Sequence, residues 1–161
     1  MIVVSDTSCI SNLLLIGQID LLQKIYSEIF IPLAVYNEIL MLEKSGKDLS
    51  YFKSRNWIII KKDFTRNISL SPPKNIDAGE AEAIDLAIYL KADRLLIDER
   101  KGSVLVKELG IITIGLLGVL KIAKENHLIL SVQKLLDQLI ENNFWLSNEL
   151  YNTVLKSVNE L

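Results

Sequence analysis

Short runs of apolar, mostly β-branched residues alternate along the chain with stretches whose apolar positions repeat every three or four residues. Runs of four or five such residues are typical of strands buried on both faces, and the periodic stretches are typical of helices. The pattern predicts strands at 2–5, 28–31, 57–61, 94–97 and 111–114. We therefore predict a three-layer α/β/α fold, with a short parallel sheet of about five strands and helices on both faces.

The connecting segments follow the same logic. Pro32 suits the first turn of a helix, which we expect to run to about residue 43, whereas residues 62–76 are predicted to form a loop. The last forty residues are helical by pattern, and Ser131 and Ser147 are positioned to cap two of these helices. With 161 residues and no linker or repeat, we expect one domain over 1–161, with a core at about 1–115 and C-terminal helices at about 116–161.

The predicted helix that begins near Asp77 carries an acid on its apolar side. On a helical wheel, Glu80 lies in the middle of the apolar stripe, whereas Glu82 and Asp85 fall on the other half and are expected in solvent. A carboxylate facing the core is costly unless it is paired, protonated or bound to a metal. Asp77 and Glu80 also match a capping box, which is a structural explanation compatible with a site at the mouth of the helix.

Other acids follow the predicted strands. Asp6 and Asp98 each end a strand in the same way, and the carboxyl ends of parallel strands share one edge of a sheet, where ligands bind. Glu38 adds an acid on a helix that is apolar nearly all round. The structural alternative is that Asp6 and Asp98 each cap the helix that follows.

Four carboxylates in one site repel one another, by about 4 kcal/mol for a pair 4 Å apart at an effective dielectric constant of 20. A divalent cation removes this conflict and supports metal-assisted phosphodiester hydrolysis. Thr7 and Ser8, beside Asp6, offer hydroxyls that can orient a carboxylate or a metal-bound water.

Composition narrows the possible chemistry. One cysteine and one histidine exclude an internal disulfide, a thiolate metal cluster and a histidine-rich site, so metal ligands must be oxygens, which favours Mg²⁺ or Mn²⁺. The net charge of −2 does not indicate a nucleic-acid binder by itself. No apolar run is long enough to span a membrane and the start is unlike a signal peptide, so we expect a cytoplasmic protein.

The acidic motifs, in order and spacing, resemble those of the PIN-domain family over the whole chain. The matching segments are 4–8 (VSDTS), 31–38 (IPLAVYNE), 79–87 (GEAEAIDLA) and 95–100 (LLIDER). The segments 115–124 (GLLGVLKIAK) and 143–151 (NFWLSNELY) resemble a prokaryotic subgroup close to the VapC-type toxins.

That resemblance implies a metal-dependent endoribonuclease that uses Mg²⁺ or Mn²⁺. It also implies a possible role as the toxin of a toxin–antitoxin pair, with RNA as substrate, an antitoxin partner and a homodimeric state. The residues matching the family's catalytic and metal-binding acids are Asp6, Glu38, Glu80 and Asp98.

The family often has Asp at the third position, where this chain has Glu80, with Glu82 two residues later as a secondary candidate. Near the fourth position, Asp93 and Glu99 are possible substitutes for Asp98.

Basic and aromatic residues are weaker signals. Arg100 and Lys101, beside Asp98, are the candidates for contact with RNA phosphates. We expect Trp57 and Trp145 to pack rather than to stack on bases. Further basic residues stand in the middle of the chain: Lys44, Lys47, Lys53 and Arg55.

Two other functions remain open from the sequence. One is an RNA- or metal-binding module without turnover, because intact ligands do not prove activity. The other is a phosphatase or phosphotransfer domain acting through Asp6, which fits poorly because Thr7 and Ser8 follow it where such sites need a further acid.

Overall fold

The protein folds around a parallel five-stranded sheet. The computed structural model describes the backbone of residues 1–161 and all side chains except those at positions 99, 102 and 103. Over this backbone the strands are β1 (Val3–Ser5), β2 (Ile29–Pro32), β3 (Ile58–Lys61), β4 (Arg94–Leu96) and β5 (Ile112–Ile114). Each lies within one residue of its predicted bounds, and the α/β, three-layer prediction is confirmed.

The order of strands in the sheet is β3-β2-β1-β4-β5, and every neighbouring pair is parallel. The chain builds the sheet outward from β1 through β2 to β3, then returns to the other side of β1 with β4 and continues to β5. The order therefore reverses between β1 and β4. In sheets of this kind, ligands bind in the crevice at that reversal, outside the carboxyl ends of the strands.

Helices connect and cover the strands. They are α1 (Thr7–Leu15), α2 (Asp20–Tyr26), α3 (Leu33–Leu40), α4 (Ser50–Lys53), α5 (Ala78–Leu90), α6 (Glu99–Val106), α7 (Leu116–Glu125), α8 (Val132–Glu141) and α9 (Asn148–Ser157). The α-helix predicted to reach residue 43 ends at Leu40 and continues as a 3₁₀ turn, Met41–Ser45. The predicted loop 62–76 contains a 3₁₀ turn as well, Ile68–Leu70.

Helix α5 is enclosed on nearly all sides. It lies across β1, β2 and β4, with α3 beside it and the 3₁₀ turn Ile68–Leu70 against its outer side. Asp85 is consequently buried, with only 2% of its surface exposed, so the prediction that it lies in solvent is wrong. The wheel separated the two sides of the helix correctly, but it could not reveal that a turn distant in sequence covers the polar side.

The C-terminal helices join the same apolar core. Val132, Leu136 and Leu155 are fully buried in the cluster that also contains the strand residues. Ser131 and Ser147 accept hydrogen bonds from the backbone N–H groups of the first turns of α8 and α9, as predicted. None of the helices described here is long and apolar enough to cross a membrane.

Candidate active site

The ends of the two central strands bring Asp6 and Asp98 to one edge of the sheet. Ser5 in β1 pairs in register with Leu96 in β4, and the Asp6 N–H donates to the Leu96 carbonyl at 2.9 Å. Asp98 follows two residues after Leu96. Both acids line one cleft of about 370 Å³ at the point where the strand order reverses.

Asp6 is buried, with 1% of its surface exposed, and is poorly satisfied. Its Oδ1 caps helix α1 by accepting the Cys9 N–H at 3.2 Å, which shows that the capping explanation holds for this residue. Its Oδ2 is enclosed and has no hydrogen-bond partner among the described residues. Burial, with the added charges of Glu80, Asp77 and Asp98, raises the pKa of Asp6 to about 7, against the smaller opposing effect of the cap.

Glu38 reaches the site from α3. The Thr7 hydroxyl donates to its Oε2, and the Gly79 backbone N–H is a second donor to this carboxylate. A Cβ at Gly79 would lie only 2.6 Å from Glu38 Oε1, so the absence of a side chain there makes room for the carboxylate. Burial raises the pKa of Glu38, and the hydrogen bond from Thr7 opposes the rise.

Glu80 lies at the entrance of α5 and is held from two sides. The capping box is complete: the Glu80 N–H donates to Asp77 Oδ1 at 2.8 Å, and the Asp77 N–H donates to Glu80 Oε2 at 3.2 Å. Lys101 Nζ donates to Glu80 Oε1 at 3.0 Å. Glu80, whose surface is only 7% exposed, therefore belongs both to the capping box of α5 and to the candidate site.

Asp98 is more open than Asp6 and is paired. The Arg100 guanidinium donates to both of its carboxylate oxygens, at 3.2 and 3.1 Å, and the Arg100 backbone N–H donates at 3.0 Å. The hydrogen bonds from Arg100 hold the pKa of Asp98 below its usual value. The two predicted phosphate contacts, Arg100 and Lys101, thus each lie against an acid of the candidate site.

The donor chemistry suits a hard divalent cation, but the acids are not preassembled around one. Carboxylate oxygens are the ligands that Mg²⁺ and Mn²⁺ prefer, and the unpartnered Oδ2 of Asp6 is a free, buried acceptor. Among the side chains that the structure describes, however, no group of three acidic, histidine or cysteine residues is close enough to hold a metal. Lys101 and Arg100 instead balance the charge of Glu80 and Asp98.

The remaining candidates lie elsewhere or play smaller parts. Ser8 lines the cleft. Glu82 pairs with Arg66 at 3.1 Å on the outer side of α5, away from Glu80. Asp93 precedes β4 at the opposite end of the sheet, where it accepts the Ile2 N–H at 2.6 Å, so it cannot substitute for Asp98. The side chain of Glu99, the other possible substitute, lies outside the described residues.

Three contributions were missed from the sequence. Asp77, expected only to cap α5, also adds its charge to Asp6 and Glu38. Gly79 leaves space for Glu38, and a glycine in the first turn of a helix was a usable signal because it disfavours helix. Trp145, expected to pack, is 78% exposed and lines the cleft, whereas Trp57 is packed as expected, with 5% exposed.

Comparison with known proteins agrees with this geometry. The family model DUF3368, described as a PIN domain, matches residues 2–160. No curated protein and no solved structure gives a significant match. The match does not identify a VapC-like subgroup, which stays a prediction. PIN domains are in general nucleases, and this chain, matched over almost its whole length, belongs to the PIN-domain family.

Proposed function

We propose that this protein is a divalent-metal-dependent endoribonuclease, with Asp6, Glu38, Glu80 and Asp98 as its catalytic and metal-binding acids. The observation that carries the proposal is Asp6: a buried carboxylate with one unpartnered oxygen, at the strand reversal, whose pKa is raised by burial and by neighbouring acids. A group kept in this condition costs stability in the free protein, and a cation of charge +2 would remove that cost.

The four acids would share the binding of Mg²⁺ or Mn²⁺. When bound, such a cation supplies an activated water and polarises a phosphoryl oxygen for hydrolysis. Asp6 and Asp98 would bind from the ends of β1 and β4. Thr7 would hold Glu38 in orientation, and the capping box would fix Glu80.

Arg100 and Lys101 would have different partners in the metal-free and the metal-bound site. In the free protein they neutralise Asp98 and Glu80. With a cation present, the acids no longer need these partners, and the two basic side chains are free to meet RNA phosphates. Arg100 is suited to this exchange because its side chain is 84% exposed.

The test is manganese-dependent cleavage of RNA by Asp6→Asn and Asp98→Asn. We expect each substitution to lower the cleavage rate more than about 100-fold, since loss of a direct ligand should exceed the 10- to 100-fold cost of losing an outer partner. Asp93→Asn is the matched control. It is the same chemical change just before β4, at the end of the sheet opposite the acids, and it should leave cleavage intact. Full activity in either site variant would show that the acids are assigned wrongly.

Calorimetric titration of the wild type with Mn²⁺ separates the enzyme from a binding module without turnover. Manganese binding that is not accompanied by cleavage of any RNA would favour the module. The toxin role, an antitoxin partner and a homodimer are further proposals that rest on the resemblance of residues 115–124 and 143–151 to VapC-type toxins. Light scattering that returns about 18 kDa in solution would contradict the homodimer.

A further inference from the structure

The cleft that begins at Asp6 and Asp98 has a second, chemically different end. Beyond the acids and Arg100, it is lined by apolar side chains from the start of α7 and from the segment between α8 and α9. Leu116, Leu117, Leu146 and Trp145 are among these. The acidic end suits the phosphate of a metal-bound phosphodiester, whereas the apolar end offers nothing to a phosphate.

The chain holds Trp145 outward at this end. Phe144 and Leu146, on either side of it, are partly buried against the core, while Trp145 itself is 78% exposed. The segment is fixed at both ends, because the Phe144 N–H donates to the Leu139 carbonyl at 3.0 Å and Ser147 caps α9. Trp145 is therefore an exposed indole in the same cleft as Asp6 and Asp98, on a segment whose backbone is hydrogen-bonded on both sides.

We propose that Trp145 is a stacking platform for a nucleobase of single-stranded RNA whose backbone has a phosphate held at the acids of the same cleft. The proposal rests on the proposed nuclease function for the position of that phosphate. An apolar wall with an exposed indole matches the faces of a base, while Arg100, which lines the same cleft beside Asp98, can meet the backbone. Stacking accepts every base, so the site would fix the strand without reading its sequence.

The expected size of the effect follows from known stacking platforms. Removal of one aromatic platform costs about 5- to 150-fold in affinity, which corresponds to 1–3 kcal/mol per base. Trp145→Ala should weaken binding of a single-base RNA hexamer by a factor in this range, and Trp145→Phe should retain most of the affinity. Both variants should fold, since the side chain is mostly exposed. Leu130→Ala, at a 95% exposed position away from the cleft, is the matched control and should bind as the wild type does.

The binding experiment uses labelled RNA hexamers and the protein's own fluorescence, with Mn²⁺ present. Each of the four single-base hexamers should quench the exposed Trp145 in the first milliseconds after mixing, before any cleavage, whereas the buried Trp57 gives a constant background. Replacing successive nucleotides of the hexamer by abasic ones should find one position at which Trp145→Ala no longer lowers affinity, because the stacked base is already missing there.

The outcomes separate this inference from the proposed function. Quenching without cleavage would overturn the nuclease and leave the platform standing. Cleavage with wild-type affinity in Trp145→Ala, or no quenching by any hexamer, would overturn the platform. Sedimentation analysis covers the remaining possibility: a Trp145→Ala substitution that converts a dimer to a monomer would assign the indole to contact between copies and overturn the inference too.

Discussion

Asp6 and Asp85 are both almost fully buried, yet their surroundings are opposite. Asp85 accepts the backbone N–H groups of Ile68 and Ser69, each at 2.9 Å, and the Ser69 hydroxyl at 2.7 Å. Burial alone raises the pKa of Asp85, but these hydrogen bonds outweigh it and hold the pKa below its usual value. Asp6 has one hydrogen bond, at 3.2 Å, one oxygen without a partner among the described residues, and a pKa of about 7.

The difference separates a buried acid that stabilises the fold, Asp85, from one that we propose as part of the active site, Asp6. The donors around Asp85 are local, and they tie the 3₁₀ turn Ile68–Leu70 to α5. The charged groups that act on Asp6 are other acids, Glu80, Asp77 and Asp98, so a proton or a cation makes its environment more favourable. Burial of a carboxylate is therefore not informative until its hydrogen bonds are counted.

The largest effect expected from this comparison is on the pH dependence of stability in the metal-free protein. Since folding raises the pKa of Asp6 from 3.8 to about 7, the folded state holds its proton more tightly than the unfolded state does. The contribution of Asp6 to stability should be largest below pH 4 and fall as pH rises to 7, by about 4 kcal/mol at most. Acids whose pKa is lowered by folding, such as Asp85, act in the opposite direction at low pH. Asp6→Asn should abolish this fall, so its free energy of unfolding should exceed that of the wild type increasingly above pH 4.

Urea unfolding in a chelator, at pH values from 4 to 8, measures this difference. Asp85→Asn serves as the control because its pKa is lowered by folding, and it should therefore not remove the fall between pH 4 and 7. Saturating Mn²⁺ should narrow the gap between wild type and Asp6→Asn at pH 7. If the free energies of unfolding of the wild type and Asp6→Asn changed with pH in parallel across this range, folding would not raise the pKa of Asp6.

The second effect is on Asp85 itself. Asp85→Ala leaves the donors of Ile68 and Ser69 without their acceptor, and a hydrogen bond to a charged group contributes more than one to a neutral group. Because the turn can partly recover these bonds with water, we expect a loss of about 3 kcal/mol in the free energy of unfolding at pH 7. Cleavage of RNA by the folded fraction should be unchanged. A large loss of activity in folded protein would bring Asp85 into the site and remove the contrast with Asp6.

Much of the fold could be predicted because the apolar pattern is local. Strand bounds such as those of β2 and β5 follow from β-branched runs, and the caps at Ser131 and Ser147 follow from residue type and position. The edge shared by Asp6 and Asp98 also followed from the sequence, since any parallel pair brings its carboxyl ends together.

What could not be predicted depends on contacts distant in sequence. The turn that covers Asp85 lies sixteen or seventeen residues away, within an otherwise irregular segment. Trp145 is exposed because the residues on either side of it, Phe144 and Leu146, are the ones that pack against the core, which the local sequence does not determine. Gly79 was unusual for the first turn of a helix, but the local sequence could not show that Glu38 is the side chain it faces.

The third effect compares two acids on one helix. Glu80 lies in the buried capping box beside the site, whereas Glu82 pairs with Arg66 on the outer side of α5. Glu80→Gln should weaken Mn²⁺ binding by at least about 100-fold, the upper limit for loss of an outer partner, because Glu80 is proposed as a direct ligand, and Glu82→Gln should weaken it by less than about 3-fold. Calorimetric titration of both variants measures the ratio. Equal losses, or a greater loss for Glu82, would mean that Glu80 acts only as a cap.

The smallest effect tests how closely the Glu38 carboxylate is fitted against Gly79. In Gly79→Ala the new methyl group would lie 2.6 Å from Glu38 Oε1, so the carboxylate must move and should lose its hydrogen bond from Thr7. We expect Mn²⁺ affinity to fall about 3- to 10-fold, with stability within about 1 kcal/mol of wild type because alanine favours helix. In a Glu38→Ala background the same substitution should not affect affinity further, since the clashing carboxylate is gone. Additive losses in that double variant would place the effect of Gly79 on the helix backbone rather than on Glu38.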